Sequence, residues 1–201
     1  MNIKENMQRV ILAEAEAIRA INVTDQFEDA VNLLKECHGK VVATGIGKAG
    51  FMARKFAATL SSTGTPAVFI HPAEAGHGDL GMLNPEDCIV AFSTSGKSNE
   101  VINMLQIAKQ LSVTQVIGVT SHTDSLLRDL STVILDMGPD IEEPCPLNLT
   151  PTATTAVMHA ISDAIALTLL ELKGFTREDY GMRHHSGYLG SITRGQSEQN
   201  T

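Results

Sequence analysis

Aromatic residues and cysteine are scarce in this sequence, and both shortages limit what the chain can be. It has no tryptophan, and aromatic residues make up only 4% of its 201 residues. The core must therefore come from Val, Ile, Leu and Ala, and together with 16 glycines this favours an α/β domain with many tight turns. The three cysteines, Cys37, Cys88 and Cys145, form no CxxC pair, which excludes a disulfide framework and a zinc ribbon.

Basic residues are also few. The 15 Lys and Arg residues face 23 Asp and Glu residues, for a formal net charge of −8. Nucleic acids and anionic membranes need a basic surface, so we expect neither as a partner. Residues 1–6 lack the apolar run of a signal peptide, and the most apolar region, residues 153–172, is interrupted by His159 and Asp163. We expect a soluble, cytoplasmic protein.

Short apolar runs alternate with segments of helical periodicity. Predicted helices cover residues 2–21 and run from Thr24 or Asp25 to Cys37. Five β-rich runs follow, separated by helices or long connections: residues 41–44, 67–70, 88–92, 115–119 and 133–135. This alternation predicts a flavodoxin-like three-layer sandwich, with helices on both faces of a five-stranded parallel sheet in the order 2-1-3-4-5. We expect residues 1–193 to form one domain and residues 194–201 to be a flexible tail.

Residues 93–100, Ser-Thr-Ser-Gly-Lys-Ser-Asn-Glu, stand between the third predicted strand and a helix that runs to Leu111. The start of a helix leaves backbone N–H groups unpaired at the positive end of its dipole, where phosphate commonly binds. In the strand order 2-1-3-4-5, the crevice between strands 1 and 3 brings this turn next to the glycine-rich turn at residues 45–50. The alternative is an ordinary serine cap at the start of a helix.

Residues 91–98 also come within one residue of the phosphate loop of nucleoside triphosphatases, G-x-x-x-x-G-K-[ST]. Ala91 stands in the place of the first glycine, and Asp136 after the fifth strand could hold magnesium. A nucleotide enzyme is therefore a distant alternative. Two features weigh against it: Ala91 falls within the predicted third strand, and the loop follows that strand instead of the first.

Six segments of the chain together resemble the sugar isomerase (SIS) domain family, most closely its arabinose-5-phosphate isomerases. They are residues 45–50, 61–66, 71–81, 93–100, 143–152 and 184–190, and the run from His71 to Gly81 is the most specific. The resemblance implies a phosphorylated sugar as ligand, a homo-oligomer that is usually a tetramer, and isomerisation of arabinose 5-phosphate and ribulose 5-phosphate. An isomerase for another phosphosugar, such as hexulose 6-phosphate, and a non-catalytic phosphosugar-binding regulator are the alternatives.

The resemblance also implies roles for single residues. Isomerisation moves a proton between C1 and C2 through an enediol, for which Glu143 is the leading proton shuttle and Glu100 the alternative. His184 is expected to open the sugar ring or to transfer a hydroxyl proton, and Lys48 to stabilise the enediolate charge. The matched substrate-binding residues are Gly47, Ser61, Gly64, Thr65, His71, His77, Ser93, Thr94, Ser95, Gly96 and Ser98. In relatives the first pocket histidine, here His71, can take a zinc ion that turnover does not need, so no cofactor is expected to be required.

Three features depart from the family pattern. Lys97 stands where an acidic or small residue is common, and residues 185–188, His-Ser-Gly-Tyr, replace a Pro-Gly-Gly-Ala type run. Both changes leave the identity of the sugar open. Many relatives continue into a pair of CBS domains, whereas this sequence ends at Thr201, and we expect no regulation through such domains.

Overall fold

The computed structural model describes residues 2–139 and 141–193. The flexible tail expected at residues 194–201 lies outside the described residues, and the single domain over residues 1–193 stays a prediction. Two helices come first, as predicted. Helix α1 (Ile3–Arg19) begins at Asn2, whose side chain accepts hydrogen bonds from two backbone N–H groups of the first turn, and α2 (Asp25–Lys35) follows it.

The centre of the molecule is a sheet of five parallel strands in the order β2-β1-β3-β4-β5, which confirms the predicted fold. Each strand ends within one residue of its predicted bounds. Every residue of β1 and β3 is buried, because helices cover both faces of a doubly wound parallel sheet. The strands are β1 (Val41–Gly45), β2 (Ala67–Phe69), β3 (Cys88–Phe92), β4 (Gln115–Thr120) and β5 (Val133–Asp136).

The sheet separates two clusters of buried apolar side chains. Helices α2, α3 (Gly47–Ser62) and α7 (Ala153–Leu172) pack on one face. The other face is covered by α4 (Pro72–Ala75), a 3₁₀ turn (Asp79–Met82), α5 (Asn99–Gln110) and α6 (Leu126–Leu130). Two short helices that the sequence had not indicated, α8 (Arg177–Arg183) and α9 (Gly187–Thr193), follow α7. Both predicted layers of helices are therefore present.

Helix α7 is the only helix within residues 2–139 and 141–193 that is long and apolar enough to cross a membrane. Half of its most apolar 18-residue stretch is buried inside the protein. Nine of its side chains are buried, among them Val157, Ile161 and Ile165. Since these side chains belong to the cluster that packs on the sheet, the apolar character of α7 is explained by its place in the core.

The parallel strands give the sheet two distinct edges. Loops that follow strands lie at the carboxyl edge, and loops that precede strands lie at the amino edge. Helices α3 and α7 both run from the carboxyl edge to the amino edge, where Lys173 Nζ, just after α7, donates to Thr65 Oγ1, just after α3, at 2.8 Å. Helix α3 has 16 residues, which corresponds to a length of about 24 Å between the two edges.

Candidate active site at the carboxyl edge of the sheet

The loop between β3 and α5 is held in shape by its own hydroxyl groups. Ser93 Oγ lies 3.0 Å from Ser98 Oγ and accepts from the Gly96 N–H at 3.1 Å, while Ser95 Oγ accepts from the Lys97 N–H at 3.2 Å. Ser98 precedes α5 but makes no side-chain cap bond to any described residue, so its hydroxyl does not cap the first turn. The loop is therefore a preformed turn whose helix start faces the crevice.

The turn at residues 93–98 is the candidate phosphate loop. The end of β4 and the loop that follows it form hydrogen bonds to this turn. The Thr94 carbonyl accepts from the Ser121 N–H at 3.0 Å and from Thr120 Oγ1 at 3.2 Å. Gly96 has a φ of +61°, and a Cβ at this position would overlap the Ser125 side chain. Only glycine fits there, because both the backbone conformation and the close approach exclude a side chain.

The geometry of this loop does not match that of a nucleotide phosphate loop. Ala91 lies within β3, is fully buried and pairs with Thr44 of β1 and Gly118 of β4. Because Ala91 and Phe92 are strand residues, the turn comprises only residues 93–98 and is too short for the eight-residue phosphate loop. The Lys97 ammonium group reaches sideways to Asp124 at 3.2 Å.

Lys48 and Glu100 lie where the sequence placed them, on either side of the crevice between β1 and β3. Gly45 at the end of β1 pairs with Phe92 at the end of β3, so the turns after both strands are neighbours. Gly47 opens α3 with a φ of +61°, and Lys48 follows in the first turn of that helix with an exposed side chain. Glu100 is exposed in the first turn of α5. The crevice thus combines a cation, a carboxylate and the hydroxyl-rich turn before α5.

Glu143 lies at the same edge, but its carboxylate is bound by the first residues of α7. Oε2 accepts from the backbone N–H groups of Thr152 at 2.7 Å and Ala153 at 2.8 Å, and from the Thr152 hydroxyl at 3.1 Å. Oε1 accepts from the Thr154 N–H at 3.2 Å and the Thr154 hydroxyl at 2.5 Å. These five bonds satisfy the unpaired donors at the start of a buried helix, which is the task of a cap.

This environment holds Glu143 in its charged form. Partial burial raises the pKa of Glu143, but the hydrogen bonds from Thr154, Thr152 and Ala153 outweigh it, so the pKa lies below its ordinary value. A carboxylate that carries a proton during catalysis works best with a pKa near the working pH, and its oxygens must reach the substrate. The structure therefore gives Glu143 a structural task that the sequence had not shown.

The segment after Glu143 forms a compact loop. Cys145 Sγ accepts from the backbone N–H groups of Thr150 and Leu149, each at 3.3 Å, and these bonds lower the pKa of Cys145 to about 7. From α1, Arg9 Nη1 donates to the Pro144 carbonyl at 2.9 Å. Hydrogen bonds therefore hold this loop together internally and attach it to helix α1.

His71 and His77 follow β2 at the carboxyl edge. His71 caps α4, with its Nδ1 accepting from the Ala73 N–H at 3.3 Å, and His77 is exposed just after this helix. Sequence reasoning missed Arg54, whose guanidinium carbon lies 4.6 Å from the centre of the Phe69 ring beside His71. The spacing of Gly47, Gly50 and Arg54 along one face of α3 could have indicated it. These side chains line a cavity of about 170 Å³, formed by Gly45, Gly47, Gly50, Phe51, Arg54, Phe69 and His71.

Four of the predicted site residues lie at the opposite, amino edge. Ser61 Oγ donates to the Ala67 carbonyl at 2.7 Å, and Gly64 and Thr65 form the turn before β2. Within one chain, these three residues are about one α3 length from Lys48. They therefore do not line the crevice of their own chain.

His184, the fourth, is held near the same edge through Phe175. The Phe175 ring packs on Gly64, where an added Cβ would lie 2.5 Å from it, and the Arg183 guanidinium lies 4.9 Å from the Phe175 ring centre. His184 follows Arg183, stacks on the Tyr180 ring at 3.8 Å and has Nδ1 3.0 Å from the Tyr180 carbonyl. The structure thus separates His184 from the Lys48 crevice of the same chain.

No group of three or more His, Cys, Asp or Glu side chains suited to a metal ion occurs among the described residues. A zinc ion at His71 would be held through Nε2, because Nδ1 accepts the Ala73 N–H. The two largest of the other hollows measure about 500 Å³ at the amino edge near Glu86 and about 740 Å³ between α1, α2 and α7. Neither contains a predicted site residue.

A doubly wound parallel sheet with a hydroxyl-rich helix start at its switch point defines a class of α/β domains that bind small anionic ligands there. Comparison with known families narrows this class. The model of the SIS domain matches residues 33–190, and the chain belongs to the SIS domain family.

Curated and solved relatives agree with this assignment. Arabinose 5-phosphate isomerase KdsD of Pseudomonas aeruginosa is 42% identical over 198 residues, which cover 94% of this chain and 60% of that protein. The chain spans 52–60% of the length of the curated relatives it matches.

Two solved structures cover most of the chain. A candidate phosphosugar isomerase involved in capsule formation, from Bacteroides fragilis, has a TM-score of 0.89 at 41% identity, covering 93% of this chain and all of its own. A protein of Escherichia coli CFT073, solved in complex with arabinose 5-phosphate, has a TM-score of 0.87 at 35% identity, covering 92% of this chain and all of its own.

Proposed function

We propose that this protein is a phosphosugar aldose–ketose isomerase that interconverts arabinose 5-phosphate and ribulose 5-phosphate through an enediol. The observation that carries the proposal is the crevice between β1 and β3. It places the preformed turn at residues 93–98 beside Lys48 and Glu100. The turn would bind the phosphate, which leaves the sugar carbons to extend toward the two charged side chains. The names of the relatives support the same substrate.

Within this proposal Glu100 carries the proton between C1 and C2. Its carboxylate is exposed at the crevice, whereas both oxygens of Glu143 are bound by α7. Lys48 would stabilise the negative charge that develops on the enediolate oxygen. Glu143 would act indirectly, because it fixes the start of α7.

His184 reaches the reaction in this proposal only from a second copy of the chain. In its own chain it lies near Gly64, about one helix length from Lys48. A homo-oligomer in which the α8–α9 segment of one copy approaches the carboxyl edge of another would bring His184 to the sugar ring. We propose such an oligomer, a tetramer, with sites shared between copies.

The exposed apolar side chains support association. Helix α1, all of which the structure describes, has no buried residue. Its side chains Ile3, Met7 and Ile11 form an apolar stripe that is 58–68% exposed. Met182 and Tyr188 beside His184 are more than 70% exposed. Large exposed apolar patches on a soluble protein commonly mark interfaces.

The proposed reaction needs protein groups alone, so we propose that any zinc at His71 is dispensable. The proposed setting is the cytoplasm, in line with three free thiols among the described residues and the acidic charge, which also disfavours nucleic acid and membrane as partners.

The proposal is tested by incubating the purified protein with a panel of pentose and hexose phosphates in the presence of a chelator. We expect conversion of arabinose 5-phosphate to ribulose 5-phosphate. Conversion of only hexulose 6-phosphate would reassign the substrate. Binding of a phosphosugar without conversion would indicate a regulator and would contradict the proposal.

Replacing Glu100 by Gln tests its role in proton transfer. We expect kcat to fall about 100-fold or more, because positioned acid–base groups contribute at least that factor, while the Kd for arabinose 5-phosphate changes little. The exposed Glu142, replaced by Gln, is the control. A near-normal kcat for Glu100→Gln would assign the proton transfer to another group.

A further inference from the structure

The ion pair between Lys97 and Asp124 joins the candidate phosphate loop to the loop between β4 and α6. Lys97 Nζ lies 3.2 Å from Asp124 Oδ2, and the two side chains are 51% and 83% exposed. The Lys97 ammonium group lowers the pKa of Asp124 below its ordinary value, so the carboxylate is charged at neutral pH. The cation is therefore engaged by an acid of its own chain.

Lys97 is also the one positively charged side chain within residues 93–100, all of which the structure describes. The other polar groups of residues 93–98 are hydroxyls and backbone groups, several of which bind one another, and Glu100 just beyond them is an anion. A phosphate monoester carries a charge of about −2 at neutral pH, which the hydroxyls cannot neutralise. The only charge-balancing group in the turn is the one that Asp124 holds.

Exchange of partners is favourable for Lys97. An exposed ion pair in water contributes little to stability, so leaving Asp124 costs little. A phosphate dianion offers more charge and three acceptor oxygens, and the flexible lysine stem allows the ammonium group to turn toward it. The backbone of Lys97 need not move, since its N–H remains on Ser95 Oγ.

We propose that Lys97 is a specificity-determining residue for the doubly charged phosphate, and that Asp124 competes with the substrate for its ammonium group. This inference rests on the proposed function for the location of the phosphate. It adds the Lys97 ammonium group to the phosphate site, and it makes Asp124, which lies outside the turn, the group that competes with phosphate for this cation. In this arrangement Asp124 weakens substrate binding, which is the opposite of what a loop-stabilising partner would do.

The direction in which Asp124→Asn changes the affinity for phosphate distinguishes a competitor for Lys97 from a partner that only stabilises the loop. If the ion pair only holds the loop in place, removing the carboxylate loosens the loop and weakens phosphate binding. If Asp124 competes, removing it releases Lys97 and tightens binding. Lys97→Met and the double variant complete the cycle. Glu16→Gln controls for net charge, because it removes one exposed carboxylate on α1 that is also ion-paired, with Arg19.

Calorimetric titration of the full chain with inorganic phosphate and with arabinose 5-phosphate, at low salt, supplies the readout. We expect Asp124→Asn to lower Kd by about two- to fivefold, the size of an exposed ion pair. Lys97→Met should raise Kd about tenfold, since a charged hydrogen bond is lost. Adding Asp124→Asn to Lys97→Met should then change nothing, and Glu16→Gln should behave like the unaltered protein. The melting temperature without ligand should stay constant throughout.

An Asp124→Asn variant that binds either ligand as the unaltered protein does, or more weakly, overturns the inference. So does a further gain in affinity when Asp124→Asn is added to Lys97→Met, because Lys97 would then not mediate the effect. If the unaltered protein binds inorganic phosphate but not arabinose 5-phosphate, the proposed function fails while the phosphate titrations still decide the role of Lys97. Binding of neither ligand overturns both.

Discussion

The side chain of Glu143 shows how much of this site depends on bonds that a linear sequence does not display. Its five donors belong to Thr152, Ala153 and Thr154, nine to eleven positions further on. A motif match indicates that an acid stands at this position, but it cannot tell a proton carrier from a helix cap. The positions of Lys48 and Glu100 in the chain were predictable, because each lies in the first turn of a helix that follows a predicted strand, while their catalytic roles stay predictions.

Replacing Glu143 by Gln should destabilise the folded protein by about 2 kcal/mol at pH 7, because charge-assisted bonds to the helix start are lost. The lowered pKa means that the ionised carboxylate stabilises the fold above its ordinary pKa of 4.5 and loses that effect as pH falls through the lower, folded-state value. Urea unfolding from pH 7 to 3 should show the difference from the unaltered protein shrinking below pH 4.5. A difference that persists undiminished to pH 3 would contradict the assignment.

At the scale of elements, the strands were predictable and the final helices were not. Strands β1 and β3 are short runs of buried β-branched and apolar residues between clear turns, and β2 is a half-buried run of the same kind, so their bounds need no distant contact. Helices α8 and α9 have seven residues each, too few for a periodic pattern. Their position depends on Phe175 packing against Gly64, a contact between residues over a hundred positions apart.

Gly64 is therefore expected to be the sensitive point of this packing. Replacing it by Ala should cost about 1–2 kcal/mol for the positive φ and about 1–3 kcal/mol more for the clash with the Phe175 ring. Gly47 is the matched control, since its φ is also positive but an added Cβ meets nothing within 4 Å. Thermal unfolding should show the larger loss for Gly64→Ala, and equal losses would mean that the Phe175 contact is unimportant.

At the scale of the whole molecule, the two edges of the sheet divide the predicted site into two sets. Lys48, Glu100 and the phosphate-loop candidate lie at one edge, while His184 and Gly64 lie at the other. A motif match finds both sets of residues because it depends only on which residues occur in the sequence. The distance between the two sets depends on the length and direction of α3, which the motif does not contain. The proposed oligomer reunites the two sets.

Mixing two inactive variants tests this sharing. Lys48→Ala lacks the cation at one edge and His184→Ala lacks the imidazole at the other, so each alone should be inactive in the proposed mechanism. After the two are mixed and allowed to exchange subunits, random pairing should restore about a quarter of the unaltered activity, because some sites then have both residues intact. No recovery, with exchange confirmed by differently tagged chains, would place both residues in one chain's site.

In the proposed shared site, the distance between His184 and the crevice of its own chain has a consequence for gene dosage. A catalytic centre completed by a second polypeptide makes output depend on encounters between copies as well as on their number. Near the dissociation constant of the assembly, halving expression should reduce flux by more than half. A cell carrying such an enzyme would have a threshold of expression. Below a certain copy number the protein is present and folded, but most copies are unassembled and inactive.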